Sequence, residues 1–369
     1  MPIRHPDFIF GRNRPFLRSF EVLAAGLANR WMFAVTETRL EGEFGSLPPG
    51  VPILFVSNHP RLSDPPSFYA VGREVPRLVY TVASRKLFDE GMGLLGVILK
   101  NIRCISIQRG SADLAAFKAM SQILVQPENA LLVYPETEVA YGFDYLFPFQ
   151  VGLFQLALGA EARSRNGLLV APLGFTYTVS HFDERSLAKR LQALERQPAS
   201  NESLEDLLAL TERKLLGGPL TKAEELVVQA SELTGKPRTE WSEDPLVAAH
   251  QIEALAETQY GTEPKSTEAH KRAKEAEKLC LRAVACARFP FIPPAESGAE
   301  AIVDRVEQLE VIAYGAAKKK TERTCTISVG NPLEASTYLG DAKKPSPEQS
   351  KRLCDDARNE VARLIGFQP

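Results

Sequence analysis

Between residues 51 and 182 short apolar runs alternate with helix-length segments, and this alternation restricts the fold more than any other feature of the chain. Strands are expected at 51–57, 77–83, 103–108, 130–134 and 168–178, with helices over 65–72, 111–126 and 148–164. Such alternation builds a sheet with helices on its faces, so the expected class is α/β, with a mixed, mostly parallel sheet flanked by helices. Upstream, Phe16, Phe20, Leu23, Leu27, Trp31 and Val35 recur at spacings of three and four, which predicts a helix over 16–36. A strand and a Pro48-Pro49-Gly50 turn then lead into the first buried run.

The texture changes near Asp183. Residues 184–320 are rich in Ala, Glu, Leu and Lys with helical periodicity, and they carry no convincing strand. Pro198, Gly217-Gly218-Pro219, Gly235-Lys236-Pro237, Pro245, Pro264 and Pro290 to Pro294 punctuate them. A β-like run returns at Cys325 to Val329, and a closing helix is expected over 347–365. The economical division is an N-terminal amphipathic helix and first strand (1–44), an α/β core (45–182), an all-helical insertion (183–322), and the last strand and C-terminal helix of the core (323–369).

Composition narrows the class of partner. With 369 residues and a formal net charge of -2, the chain gives no global reason to expect nucleic acid. Residues 1–30, however, hold five arginines against Asp7 and Glu21, and a basic edge followed by apolar residues favours an anionic surface. Five cysteines without a CxxC pair read as free thiols of a reducing compartment. No uninterrupted apolar stretch reaches bilayer length, and the first residues lack the pattern of a signal peptide. The expected location is cytoplasmic.

Three short segments carry candidate chemistry. In Asn58-His59-Pro60-Arg61-Leu62-Ser63-Asp64 an apolar run stops where a helix should begin, the place where an α/β fold exposes functional side chains. Residues five apart lie about 140° apart on an ideal helix, so only a turn before the helix brings His59 to Asp64. Asp64 before Pro65 reads as the cap of a helix; paired with it, His59 is a general base, and otherwise Asp64 is only that cap and His59 a loop residue. Arg109 ends a strand just before a helix N-terminus, where it either offers donors to a phosphate or is simply solvated. Glu136 follows Val133-Tyr134-Pro135 and either accepts from a substrate hydroxyl, braces a basic residue, or caps a turn.

Other patterns fail. Gly91-Met92-Gly93-Leu94-Leu95-Gly96 has dinucleotide-type glycines, but it neither follows directly on a strand nor opens a long helix. It reads better as a short apolar helix or loop, able to pack inside or touch an acyl chain or bilayer. The chain has no GxSxG, P-loop or HExxH, and no zinc-like Cys/His spacing, so no metal site is expected.

Taken together, the order Asn58-His59-xxxx-Asp64, Ile105-Ser106-Ile107-Gln108-Arg109, Val133-Tyr134-Pro135-Glu136 and Val170-Ala171-Pro172-Leu173 resembles the four blocks of the glycerophospholipid acyltransferase family. Lysophosphatidate acyltransferases are its best-known members. Pro148-Phe149-Gln150-Val151-Gly152-Leu153-Phe154 and Val329-Gly330-Asn331-Pro332-Leu333 are similar to further family features. The resemblance covers about 45–182 and 323–365 and leaves the insertion outside.

What the resemblance implies is acyl transfer from a fatty acyl thioester, acyl-CoA or acyl-carrier protein, to a lysolipid hydroxyl, with no further cofactor. His59 would be the general base and Asp64 its orienter. Asn58, Arg85, Arg109, Pro135, Glu136, Thr137 and Pro172 would line the substrate site, with Arg109 on the acceptor phosphate. The N-terminal helix and the 91–99 segment would seat the chain peripherally on the cytoplasmic membrane face. Two departures touch the acceptor site. Thr137-Glu138 stands where the family usually has Gly-Thr-Arg, and Arg85-Lys86 stands near its usual lysine. A lipid-binding protein that keeps the fold, or a thioesterase-like hydrolase, fits the same blocks.

Overall fold

The computed structural model describes residues 15–42, 44–70, 72, 77–89, 96, 99–100, 102–108, 113–140, 142, 145–195, 203–260, 266–289, 298–318 and 320–367, with the backbone alone for 15–21, 46, 86, 89, 195 and 257–260. The chain divides into two compact units: Met1–Ile107 with Asp113–Ser180 and Glu322–Pro369, and Gln108–Ala112 with His181–Thr321.

The first unit is built on a mostly parallel sheet of eight strands. They are β1 (Val35–Glu41), β2 (Ile53–Ser57), β3 (Leu78–Ser84), β4 (Cys104–Ile107), β5 (Asn129–Val133), β6 (Leu169–Val179), β7 (Arg323–Val329) and β8 (Leu333–Glu334). Their order is β1-β7-β6-β2-β5-β3-β4, with β8 beside β6. β2 through β6 run parallel to one another. β7 and β8 run antiparallel to β6. All five residues of β2 are buried, as a strand covered on both faces requires.

Side-chain alternation sorts the core into two layers. Leu54 and Val56 join Ile105, Leu131 and Val170 under the helices Leu114–Leu124, Val151–Ser164 and Pro347–Leu364. Ile53 and Phe55 join Leu132, Phe175, Tyr177, Cys325 and Ile327 on the other face. There Phe68, from the helix Asp64–Ala70, packs on Phe55 with ring centroids 5.5 Å apart. Burying aliphatic and aromatic side chains contributes roughly 1.5–3 kcal/mol each, so these two layers fix the sheet and the helices on it.

The N-terminal segment departs from the helix expected over 16–36. The helix Pro15–Ala28 passes into one π turn, Asn29–Phe33, and Ala34 takes a left-handed φ of 56°. Val35 then belongs to β1, paired in parallel with β7. The β-branched residues Val35, Thr36 and Thr38 suit a strand, and a partner strand far along the chain outweighs the local periodicity. β8 and the following helix Ala335–Leu339 are too short for periodicity to reveal.

The second unit, in its described residues, holds the helices Glu184–Glu195, Leu204–Leu216, Pro219–Thr234, Pro245–Tyr260, Glu268–Arg288 and Ala299–Tyr314, and no strand. The punctuating residues act as caps and starts. Pro219 opens a helix whose end is the left-handed Gly235, and Gly315 ends the last one in the same way. Ala299–Tyr314 is buried around most of its circumference, charged residues included. Arg190 donates to both oxygens of Glu310 at 2.8 Å. Arg305 meets Glu212 at 2.6 Å while its guanidinium lies 3.6 Å from the Phe289 ring centroid. Such pairing is what permits buried charge.

Candidate active site

Parallel strands end on a common edge, so the loops after β2, β3, β4, β5 and β6 leave the sheet together. Asn58 and His59 follow β2, Arg85 follows β3, and Pro135 and Glu136 follow β5.

The segment Pro60 to Ser63 turns sharply, with the Asp64 amide donating to the Arg61 carbonyl at 3.1 Å. This turn brings His59 Nδ1 to 2.7 Å from Asp64 Oδ2. The Ser67 amide donates to the Ser63 carbonyl, so Ser63 opens the helix and Asp64 is its first residue. Pro65 and Pro66 come next and lack amide protons, which leaves few helix donors to satisfy. The expected role of Asp64 as a cap is therefore not what the geometry shows. Its oxygens take His59, the Arg61 amide at 3.0 Å and the Tyr177 hydroxyl at 2.5 Å. The side chain of Asp64 is 0% exposed and that of His59 12%. The carboxylate is thus sealed from water while the imidazole reaches the surface. Tyr134 stacks on the imidazole with ring centroids 4.1 Å apart and planes tilted by 19°.

The neighbouring expected residues hold the loops in place. Asn58 exchanges two hydrogen bonds with the backbone of Phe175: Nδ2 donates to its carbonyl at 2.9 Å, and Oδ1 accepts from its amide at 2.8 Å. Glu136, 1% exposed, accepts from the amides of His59 at 2.7 Å and Phe147 at 2.8 Å. Its carboxylate is turned inward and fixes the backbone of the histidine. Pro135 is buried, and its carbonyl accepts from the Gln150 amide at 3.1 Å. Pro172 is buried within β6, its carbonyl accepting from Gly330 at 2.9 Å. Thr137 is exposed and left-handed, with φ 67°. Arg85 is half-buried and donates to Asp113 at 3.3 Å, the carboxylate that caps Leu114–Leu124 through the Ala116 amide. Arg109 lies outside the described residues, as does most of 91–99.

Three residues at the centre carry no signal in their local sequence. Tyr177 reads as one more apolar position of a strand, Ser63 as a turn residue, and Tyr134 as the strand end before Pro135. Burial and the charge of Asp64 push both tyrosine hydroxyls well above their ordinary range, so they remain protonated donors. Burial also pushes the Cys104 and Cys325 thiols up to about 12. A thiolate nucleophile is correspondingly disfavoured there. Among the described residues no group of three His, Cys, Asp or Glu side chains is placed to hold a metal ion.

An imidazole whose Nδ1 meets a buried carboxylate leaves Nε2 to face outward, so fold and site define an α/β protein with a His–Asp pair at its strand ends. Residues 42–176 match the Acyltransferase family model, a family that contains the lysophosphatidate acyltransferases. The match supports acyl transfer as the class of reaction. No curated protein matches the chain.

Proposed function

We propose that the protein is an O-acyltransferase that moves a fatty acyl group from an acyl-CoA or acyl-carrier-protein thioester to the hydroxyl of a lysophospholipid, lysophosphatidate first. The observation that carries this reading is the 2.7 Å contact of His59 with a fully buried Asp64, inside the segment that matches the family. His59 Nε2 takes the proton of the acceptor hydroxyl as its oxygen attacks the thioester carbonyl. The C–O bond forms, the C–S bond breaks, and the imidazolium returns the proton to the departing thiolate. Asp64 stabilises the imidazolium in between. A thioester is already activated, so the step needs no acyl-enzyme.

Arg109 and Arg85 supply cationic donors for the acceptor phosphate, and guanidinium geometry suits that task. Asn58, Pro135, Glu136, Thr137 and Pro172 shape the site through the backbone they hold. Both lipids partition into bilayers, and the N-terminal helix offers a surface for one. Leu23, Leu27, Trp31 and Met32 are exposed on it, beside Arg30. Among the described residues no helix is long and apolar enough to cross a membrane. The proposed location is peripheral, on the cytoplasmic membrane face.

The test is incubation of the purified full chain with acyl-CoA or acyl-carrier protein and a panel of lysolipids, with products identified by mass spectrometry. His59→Ala is expected to lower transfer by roughly 10²–10⁴-fold, the usual worth of a general base. Transfer that His59→Ala leaves intact excludes the base. Saturable lipid binding without turnover points to a binding protein, and acceptor-independent release of fatty acid points to a hydrolase.

A further inference from the structure

The carboxylate that holds His59 is itself held, by a residue one position beyond the segment matched to the family. A carboxylate removed from water is costly unless its lone pairs are taken by good donors. Asp64 Oδ2 is occupied by His59 and by the Arg61 amide. Oδ1 faces away from the histidine and takes the Tyr177 hydroxyl at 2.5 Å, the short distance of a charge-assisted O–H···O bond. Tyr177 is fully buried, 113 residues further along the chain. It reaches this place because β6 alternates: Phe175 and Tyr177 face the layer on which the Asp64–Ala70 helix packs.

The hydroxyl has a second contact, 2.9 Å from Ser63 Oγ. A phenol has one proton, and the carboxylate can only accept, so the Tyr177 O–H donates to Asp64 and Ser63 donates to the tyrosine oxygen. The result is one directed chain, Ser63 to Tyr177 to Asp64, with His59 Nδ1–H donating from the other side. Arg61 lies over the Tyr177 ring, its guanidinium carbon 5.6 Å from the centroid.

We infer that Tyr177, steered by Ser63, is a positioning residue for the His59 base: it fixes the rotamer of Asp64 so that Oδ2 alone faces the imidazole. The inference rests on the proposed acyl transfer for its kinetic consequence, but the hydrogen-bond chain has its own readout. Without the hydroxyl, Oδ1 is a buried acceptor without its donor, and Asp64 is free to rotate toward another one. That rotation weakens the hold on Nδ1–H while leaving the surfaces that touch donor and acceptor as they were.

The experiment compares wild type with Tyr177→Phe and Ser63→Ala in the full chain, with circular dichroism confirming that each is folded. Two measurements are made. In proton NMR with histidine-selective ¹⁵N labelling, the downfield Nδ1–H resonance of His59, assigned by its loss in His59→Ala, is expected in wild type and is expected to move or vanish in Tyr177→Phe. In steady-state kinetics Tyr177→Phe is expected to lose roughly ten- to hundredfold in kcat, the worth of one hydrogen bond to a charged group, with KM for both substrates unchanged. Ser63→Ala is expected to show a smaller change of the same kind, and it carries the test if Tyr177→Phe does not fold. An unmoved resonance with an unchanged kcat overturns the inference. If wild type shows no transfer with any thioester, the acyl-transfer reading fails, while the resonance still decides whether Tyr177 holds the pair. A loss confined to KM assigns Tyr177 to substrate binding and likewise overturns the positioning role.

Discussion

Thr137 occupies backbone that a β-branched residue adopts only at a cost. Its φ of 67° is left-handed, and its amide closes a turn onto the Tyr134 carbonyl at 3.0 Å. That turn aims Pro135 and Glu136 inward, so Glu136 can grip the His59 amide. The conformation is imposed by what the loop must hold, and a glycine meets it without strain. Left-handed backbone costs an L-residue roughly 1–2 kcal/mol. Glycine gives back part of that, roughly 0.5–1 kcal/mol, through greater freedom in the unfolded chain. Thr137 is exposed, so little packing is lost. Thr137→Gly is therefore expected to stabilise the protein by up to about 1 kcal/mol. A urea titration should show a higher midpoint with an unchanged slope; a lower midpoint would mean that the threonine side chain makes a contact worth more than the strain.

Among the elements, the N-terminal helix and the turn that extends it present two distinct faces. Ala25 and Asn29 are buried, and Asn29 Nδ2 donates to Ser67 Oγ at 3.2 Å, on the helix that begins with Asp64. The opposite face carries Leu23, Leu27 and Trp31, the last 81% exposed. Each of these side chains is worth roughly 1.5–3 kcal/mol when fully moved out of water. Replacing both Leu27 and Trp31 by Glu should thus weaken binding to anionic vesicles by more than about tenfold, without altering the thermal melt. Co-sedimentation with vesicles of phosphatidylcholine and phosphatidylglycerol measures it, and equal binding by the variant removes this face as the membrane contact. The helix also marks where sequence patterns mislead. The runs that form β2, β5 and most of β6 are legible because a strand buried on both faces is largely apolar. Val35 kept the helical spacing of its neighbours yet pairs with Arg323, a partner that no local pattern encodes. The two-residue β8 is set by its register on Val170 and Leu169, again a tertiary matter.

For the whole molecule, the same separation between near and far partners decides how much of the site could be read. His59 and Asp64 are five residues apart and share one turn, so their spacing allows the pair, and the ordered blocks around them favour it over a simple cap. Tyr177 touches Asp64 across 113 residues, and Asn58 clamps Phe175 across 117; only the sheet order brings them together. That burial has a global consequence at high pH. Cys104 and Cys325 lie in the core, and burial lifts their thiols from an ordinary 9 to about 12. Cys286 and Cys354 are lifted to about 11 for the same reason. In each case the folded value lies above the unfolded one. Above pH 9 the unfolded chain therefore releases protons that the folded chain keeps, and stability falls with rising pH. The contribution of these thiols is fully present below about pH 9 and is lost progressively toward pH 11–12. Each thiol adds a slope of up to about 1.4 kcal/mol per pH unit within its window. Tyr134 and Tyr177, also raised by burial, steepen the decline beyond pH 10. Urea titrations at pH 8 and pH 10.5 should show a clear drop for wild type and a smaller one for the double variant Cys104→Ala, Cys325→Ala. If wild type is equally stable at both values, the interior tolerates thiolates. The dry core argued for Asp64 and its tyrosine would then have to be abandoned with it.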